Sequence, residues 1–217
     1  MITTLLLVLT ATQPASAQEY MGRTIARTMS YRGAPWLVRD ERVAEEDPAL
    51  LLAQLGLEPG DVACDVGAGN GYHSLKMAEL VGESGRVIAT DIQPEMLRLL
   101  DRRATAAGVG NITRVLSSET DAKLPADTCD VILLVDVYHE FSDPEAMLAG
   151  MHQSLTTTGR IALVEYRAED DSVPMKPLHK MTVAQADREY EANGFARVAR
   201  FDGLPWQHLL FYGRAAE

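Results

Sequence analysis

The chain has 217 residues, with 20 Lys and Arg against 31 Asp and Glu, a formal net charge of −11 and 47% hydrophobic residues. That length and balance describe one large globular domain with a tail and exclude collagenous, disordered and multispanning membrane chains. No basic run exceeds Arg102-Arg103 on so acidic a chain, so nucleic acid is excluded as a partner and a small-molecule substrate is expected.

Residues 1–17 carry no charged side chain and run from an apolar stretch over 4–11 to Ala15-Ser16-Ala17, a small-residue cleavage pattern. They read as a signal peptide, placing the protein in the periplasm or outside the cell; without a signal the location is cytoplasmic. The apolar run is too short for a bilayer of roughly 30 Å, so no transmembrane span is expected. Residues 18–47 are polar and mixed and read as an N-terminal arm, and 48–217 as the main domain. The arm's Tyr20, Met21, Met29, Tyr31 and Trp36 either close over a ligand or pack against an edge helix.

Pro48 after Asp47 opens a short helix over 49–55 that stops at Gly56. Alternation follows: strand 61–66, helix 72–81, strand 86–90, helix 94–107 closed by Gly108, and strands 111–116 and 130–135. Asp143 opens a helix over 144–155, and strand 160–165 comes next. A connection over 166–180 then leads to a helix over 182–193, ended by Gly194. Strands 196–202 and 207–214 are separated only by Gly203-Leu204-Pro205-Trp206, too short for a parallel crossover, so they pair as an antiparallel hairpin. The order predicts an α/β, doubly wound sheet of seven strands with one reversed and helices on both faces. Cys64 and Cys129, far apart in apolar runs, read as buried free thiols.

Between the first strand and its helix stands Asp65-Val66-Gly67-Ala68-Gly69-Asn70-Gly71-Tyr72. Its glycines allow a sharp turn and a close approach of ligand to backbone, and Asp91 at the end of the second strand can accept both hydroxyls of a ribose. The dinucleotide fingerprint wants a third glycine at Tyr72, which counts against a nicotinamide cofactor. A carboxylate inside the turn suits a cofactor with no phosphate and a cationic amino-acid end, a description that S-adenosyl-L-methionine meets.

At these residues the chain resembles the class I S-adenosylmethionine-dependent methyltransferases, within them the small-molecule branch related to the ubiquinone and menaquinone C-methyltransferases. The likeness covers about 50–214 and includes Asp65 to Gly71, Asp91 to Leu97, Asp130 to Phe141 and Gly159 to Glu165. It implies a Rossmann-like sheet in the order 3-2-1-4-5-7-6 with the last strand antiparallel. It also implies that Asp65 and the loop Gly67, Ala68, Gly69, with Gly71 and Tyr72, hold the methionine end of the cofactor. Asp91 then takes the ribose, Ile92 faces the adenine, and Asp136 and Val137 complete the pocket near the sulfonium. The family's Gly-Asp-Ala before Leu-Pro is replaced by Ser117 to Ala122, where Glu119 is the choice for the adenine amino group. The alternative is a fold retained without turnover, as a binding or scaffold protein of the cell envelope.

Ligands of open parallel sheets sit beyond the carboxyl ends of the strands, which draws attention to Tyr138-His139-Glu140 and Glu165-Tyr166-Arg167. His139 is the candidate general base or else a helix buttress; Glu165 assists it or pairs with Arg167; His179 is a lid residue or an exposed loop histidine. His208 reads as packing, and His73 and His152 as solvated helix positions. Asp136, His139, Glu165 and His179 are the residues that a divalent ion would need, but no spacing demands one and none is expected.

Overall fold

The computed structural model describes residues 18–216; the leader read over 1–17 lies outside them. The arm begins as a two-stranded hairpin, β1 (Glu19–Tyr20) and β2 (Arg23–Thr24), continues through a 3-10 helix (Tyr31–Val38), and ends in α1 (Arg42–Glu46). Next come α2 (Pro48–Gln54), β3 (Val62–Val66), α3 (Tyr72–Val81), β4 (Arg86–Asp91), α4 (Pro94–Ala107) and β5 (Ile112–Leu116). The second half runs β6 (Cys129–Val135), α5 (Pro144–Ser154), β7 (Leu155–Arg167), β8 (Lys180–Met181), α6 (Val183–Ala192), β9 (Phe195–Phe201) and β10 (Gln207–Arg214).

The helices begin where side chains satisfy their free N–H groups. The carboxylates of Asp47 and Asp143 accept from Leu50 N and Ala146 N, and the Thr182 hydroxyl from Gln185 N, each at 3.1 Å. Gly108 closes α4 in the left-handed conformation that a C-terminal stop requires (φ 68°).

The main path of the sheet is β5-β4-β3-β6-β7-β10-β9, parallel except for β10, which runs antiparallel to both neighbours. This is the seven-strand order expected, with one addition: β8, two residues long, pairs parallel with β7 beside Tyr166 and makes an eighth strand. A two-residue strand carries no periodicity, which is why the 166–180 connection reads as plain loop. β7 also starts earlier than expected, directly after α5, and a shift of register opposite Cys129–Val131 absorbs residues 156–159.

Alternating side chains send two cores to the two faces. Cys64, Ile132, Ile161 and Leu210 pack with Met147 and Met151 of α5 and Tyr190 of α6. Ala63, Leu133, Val164 and Leu209 pack with Leu51 of α2, Met77 of α3 and Leu100 of α4. The cysteines are not free thiols. Cys64 on β3 and Cys129 on β6 form a disulfide with Cα atoms 5.9 Å apart, both fully buried. They are separated by 65 residues in sequence, but β3 and β6 are neighbours in the sheet.

Candidate active site

Beyond the carboxyl ends of β3, β4, β6 and β7 lies a cavity of about 490 Å³, a volume suited to a cofactor and a small acceptor together. Its wall includes Val66, Gly67, Gly69, Asp91, Ile92 and Glu119, and also Asp136, His139, Glu140, Tyr166 and His179. Thr28, Met29, Trp36 and Leu37 of the arm cover it. The question left open by the sequence is thereby divided: Met29 and Trp36 close over the cavity, whereas Tyr20 and Met21 contact α6 and the residue after it through Asn193, Gln185 and Arg188.

The glycine loop is shaped from below and behind. Gly67 has φ 71°, and a Cβ there would stand 2.4 Å from Val137 Cγ2, so only glycine lets β3 turn this close to the end of β6. Asp91 Oδ2 accepts Gly69 N at 2.9 Å and Oδ1 accepts Gln93 N at 2.8 Å, which fixes the loop and the start of α4 around one carboxylate. Burial raises the Asp91 pKa, and these two backbone donors partly offset the rise. Ile92 and Val137 face the cavity, and Glu119 stands exposed at its mouth. Asp65, Ala68, Gly71 and Tyr72 are not in the cavity wall. Asp65 is buried beneath the loop, accepting the Ser74 hydroxyl, and burial pushes its carboxyl up to about 6 against that hydrogen bond. Tyr72 lies under the Arg42 guanidinium, 4.3 Å from ring centroid to Cζ.

Behind the cavity-lining His139, Glu165 commits both oxygens to it. Oε1 accepts the backbone N–H at 3.1 Å, and Oε2 lies 2.6 Å from the ring Nδ1. Arg167 is turned away onto the carbonyls of Asp202, Leu204 and Pro205, so it does not pair with Glu165. His139 Nε2 meets His179 Nδ1 at 3.0 Å, making a chain from Glu165 through two imidazoles into the cavity. Burial lowers the His139 pKa, but the charge and hydrogen bond of Glu165 outweigh it and the net shift is upward. His179, half-buried, shifts down through burial and the adjacent His139. Burial likewise pushes Glu140 up to about 7, offset in part by His139 and the Met29 N–H.

Asp136 follows β6 in a left-handed conformation (φ 51°). Its Oδ2 accepts Gln207 Nε2 at 2.7 Å, while Oδ1 is buried without a partner among the described residues. Burial, then the charges of Glu46 and Glu165, hold its carboxyl well above the usual range.

Sequence reasoning missed Arg42, which lines the cavity, pairs with Glu46 in α1 and donates to Leu37 O at 2.8 Å. It also missed Gln93, whose amide accepts Tyr31 N–H and donates to Met29 O, pinning the arm. His73 is not on a solvated face: it is 5% exposed and meets Arg42 at 3.2 Å, and burial lowers its pKa. A helical histidine with Arg42 as its only signal, thirty-one residues earlier, cannot be placed from the linear chain.

Comparison with known proteins agrees with this geometry. Residues 57–204, more than half of the chain, match the methyltransferase-domain family, and the chain belongs to that family. By family it carries a methyltransferase domain, and its fold is that of S-adenosylmethionine-dependent methyltransferases. It is 31% identical over 128 residues to the ubiquinone/menaquinone biosynthesis C-methyltransferase of Francisella tularensis subsp. novicida, covering 58% of this chain and 49% of that protein. The corresponding protein of Teredinibacter turnerae is 29% identical over 119 residues, covering 54% of this chain and 48% of its own length. The chain thus matches about half the length of these curated relatives. Among solved structures, a SAM-dependent methyltransferase from Aquifex aeolicus superposes with TM-score 0.80 at 23% identity, covering 85% of this chain and 98% of that one.

The residues present suit the cofactor. Asp91 offers a buried carboxylate beside the glycine loop, and Asp136, also in the cavity wall, has an Oδ1 without a partner among the described residues.

Proposed function

We propose that the protein transfers a methyl group to a small acceptor held in the inner part of this cavity. The reading rests on one observation: a single cavity is lined both by Gly67, Gly69 and Asp91 and by His139 and His179. When bound, S-adenosyl-L-methionine supplies an electrophilic methyl group on a sulfonium. In this reading Gly67, Ala68, Gly69 and Gly71 offer the loop backbone, with Asp65 and Tyr72 supporting it from beneath. Asp91 takes the ribose hydroxyls, Ile92 and Glu119 flank the adenine, and Asp136 and Val137 border the methyl group. The arm excludes water through Met29, Trp36 and Leu37. His139, held by Glu165, takes the proton of the acceptor's O–H, N–H or S–H, and His179 adjoins it from the lid side.

Calorimetric titration with S-adenosylmethionine and S-adenosylhomocysteine, with NAD as control, tests this reading. Micromolar binding of both adenosyl compounds, weakened about 100-fold in Asp91→Asn, is expected, since two hydrogen bonds to a charged acceptor are at stake. Equal affinity in Asp91→Asn, its fold checked by circular dichroism, would return the protein to a binding or scaffold role.

We also propose that the protein is exported with residues 1–17 as its leader. The Cys64–Cys129 bond supports this, because disulfides persist in oxidising compartments. Fractionation should find a chain beginning at Gln18 with no thiol to alkylate after denaturation. A cytosolic, full-length chain with two reactive thiols would overturn it.

A further inference from the structure

The inner end of the cavity assembles a donor set that holding the methyl donor does not use. One ring nitrogen each of His139 and His179 and a Glu140 carboxylate oxygen lie within 4.8 Å of one another, His139 Nε2 and His179 Nδ1 are 3.0 Å apart, and all three residues line the cavity. A carboxylate accepts only from N–H, so Glu165 at Nδ1 directs the Nε2 lone pair of a neutral His139 ring toward His179. A carboxylate behind a histidine is the usual support of a metal-ligating imidazole, fixing its tautomer and raising its basicity.

We propose that His139, His179 and Glu140 bind one divalent transition-metal ion of the zinc type, with the remaining coordination position open to the acceptor chamber. Two imidazole nitrogens and one carboxylate oxygen are a ligand set of catalytic zinc, at about 2.0–2.2 Å from the ion. Nitrogens bound tetrahedrally at that distance stand about 3.4 Å apart, so the 3.0 Å pair need open by only a few tenths of an ångström. The three ligands come from two segments, the turn after β6 and the 3-10 turn Pro177–His179. An ion would therefore tie the 168–179 strap to the carboxyl edge of the sheet. Glu140 also accepts Met29 N at 3.2 Å, so the same carboxylate touches the arm.

The open position selects an acceptor with a metal-binding heteroatom, a phenolic oxygen or a thiol. Its coordination lowers the pKa of that atom and releases the proton to solvent, so the ion takes over the acidification otherwise left to His139. This use of the ion rests on the methyl-transfer reading; its binding does not.

Full-length protein stripped with a chelator and dialysed free of it should be titrated with Zn2+ by calorimetry and with Co2+ by visible absorption. One ion per chain is expected, with the intense visible bands of a low-coordinate cobalt site. His179→Ala, on a half-exposed strap residue outside the core, and Glu140→Gln should each weaken Zn2+ binding by at least about tenfold and flatten the cobalt spectrum. Glu165→Gln should weaken it by about 10- to 100-fold without removing a ligand. No ion bound by the wild type, or unchanged affinity and spectrum in both His179→Ala and Glu140→Gln, would overturn the site and leave a histidine–histidine hydrogen bond. S-adenosylhomocysteine titrated into the same metal-free protein separates the two ideas. Cofactor binding without ion binding removes only the metal site; ion binding without cofactor binding removes only the methyl-transfer reading.

Discussion

Asp65 shows how a buried carboxylate under a ligand loop ties stability to pH. Its carboxyl, ordinarily near 3.8, is pushed to about 6 by burial, with the Ser74 hydroxyl and backbone N–H and the Arg42 charge in favour of the ionised form and the Asp91 charge against it. Between those two values the folded chain holds a proton that the unfolded chain has released, so stability falls as pH rises through that window. The stabilisation is fully present below pH 4 and is lost above pH 6. A shift of about two units on a fully buried group corresponds to about 3 kcal/mol. Urea unfolding of wild type and Asp65→Asn at pH 4, 5, 6 and 7 measures it: the wild type should lose about that much relative to the variant across the series. A difference independent of pH would mean that Asp65 is ionised throughout. The glycine loop around Asp65 and the Asp91 carboxylate are legible in the sequence because both answer to local rules, a positive φ and a strand-end acid. The Arg42 charge near Asp65 is less so, because Arg42 reaches it only when the arm is packed.

At the scale of elements, strand and helix limits follow from periodicity and caps, while relations between distant segments do not. Asp47, Asp143 and Gly108 mark three helix ends that the chain announces by residue type alone. The Cys64–Cys129 bond is the instructive failure. Linear spacing gives no reason to pair the two residues, yet a 3-2-1-4 strand order already places the first and fourth strands side by side. The arm's closure rests on side-chain-to-backbone bonds: Gln93 to Tyr31 and Met29, and Asn70 Nδ2 to Ala34 O at 2.9 Å. None of these has a sequence signature. The disulfide closes a loop of 65 residues, which chain-entropy reasoning equates with about 4 kcal/mol of stability. Both cysteines are fully buried, so a reductant reaches them only through unfolding. Urea titration with and without a phosphine reductant, after full unfolding and refolding in each condition, should show a difference of that order. Superimposable curves would mean that the bond does not form in solution.

Over the whole molecule, the acidic balance acts on a cationic ligand such as S-adenosylmethionine. The net charge is −11, and no cationic run interrupts it. S-adenosylmethionine carries one net positive charge at neutral pH, whereas S-adenosylhomocysteine, without the sulfonium, is neutral. A field of this sign steers the methylated form toward the cavity and leaves the demethylated form to diffuse without guidance. At 10 mM salt the Debye length is about 30 Å, comparable to the domain, and at 150 mM it falls to about 8 Å, so steering fades over an accessible range. Trp36 in the cavity wall gives a fluorescence signal for stopped-flow mixing. The association rate of S-adenosylmethionine should fall about two- to fivefold between those salt concentrations. That of S-adenosylhomocysteine should hardly change. Equal salt dependence for the two would place the effect in arm opening, which gates both ligands alike, and not in the field of the folded domain.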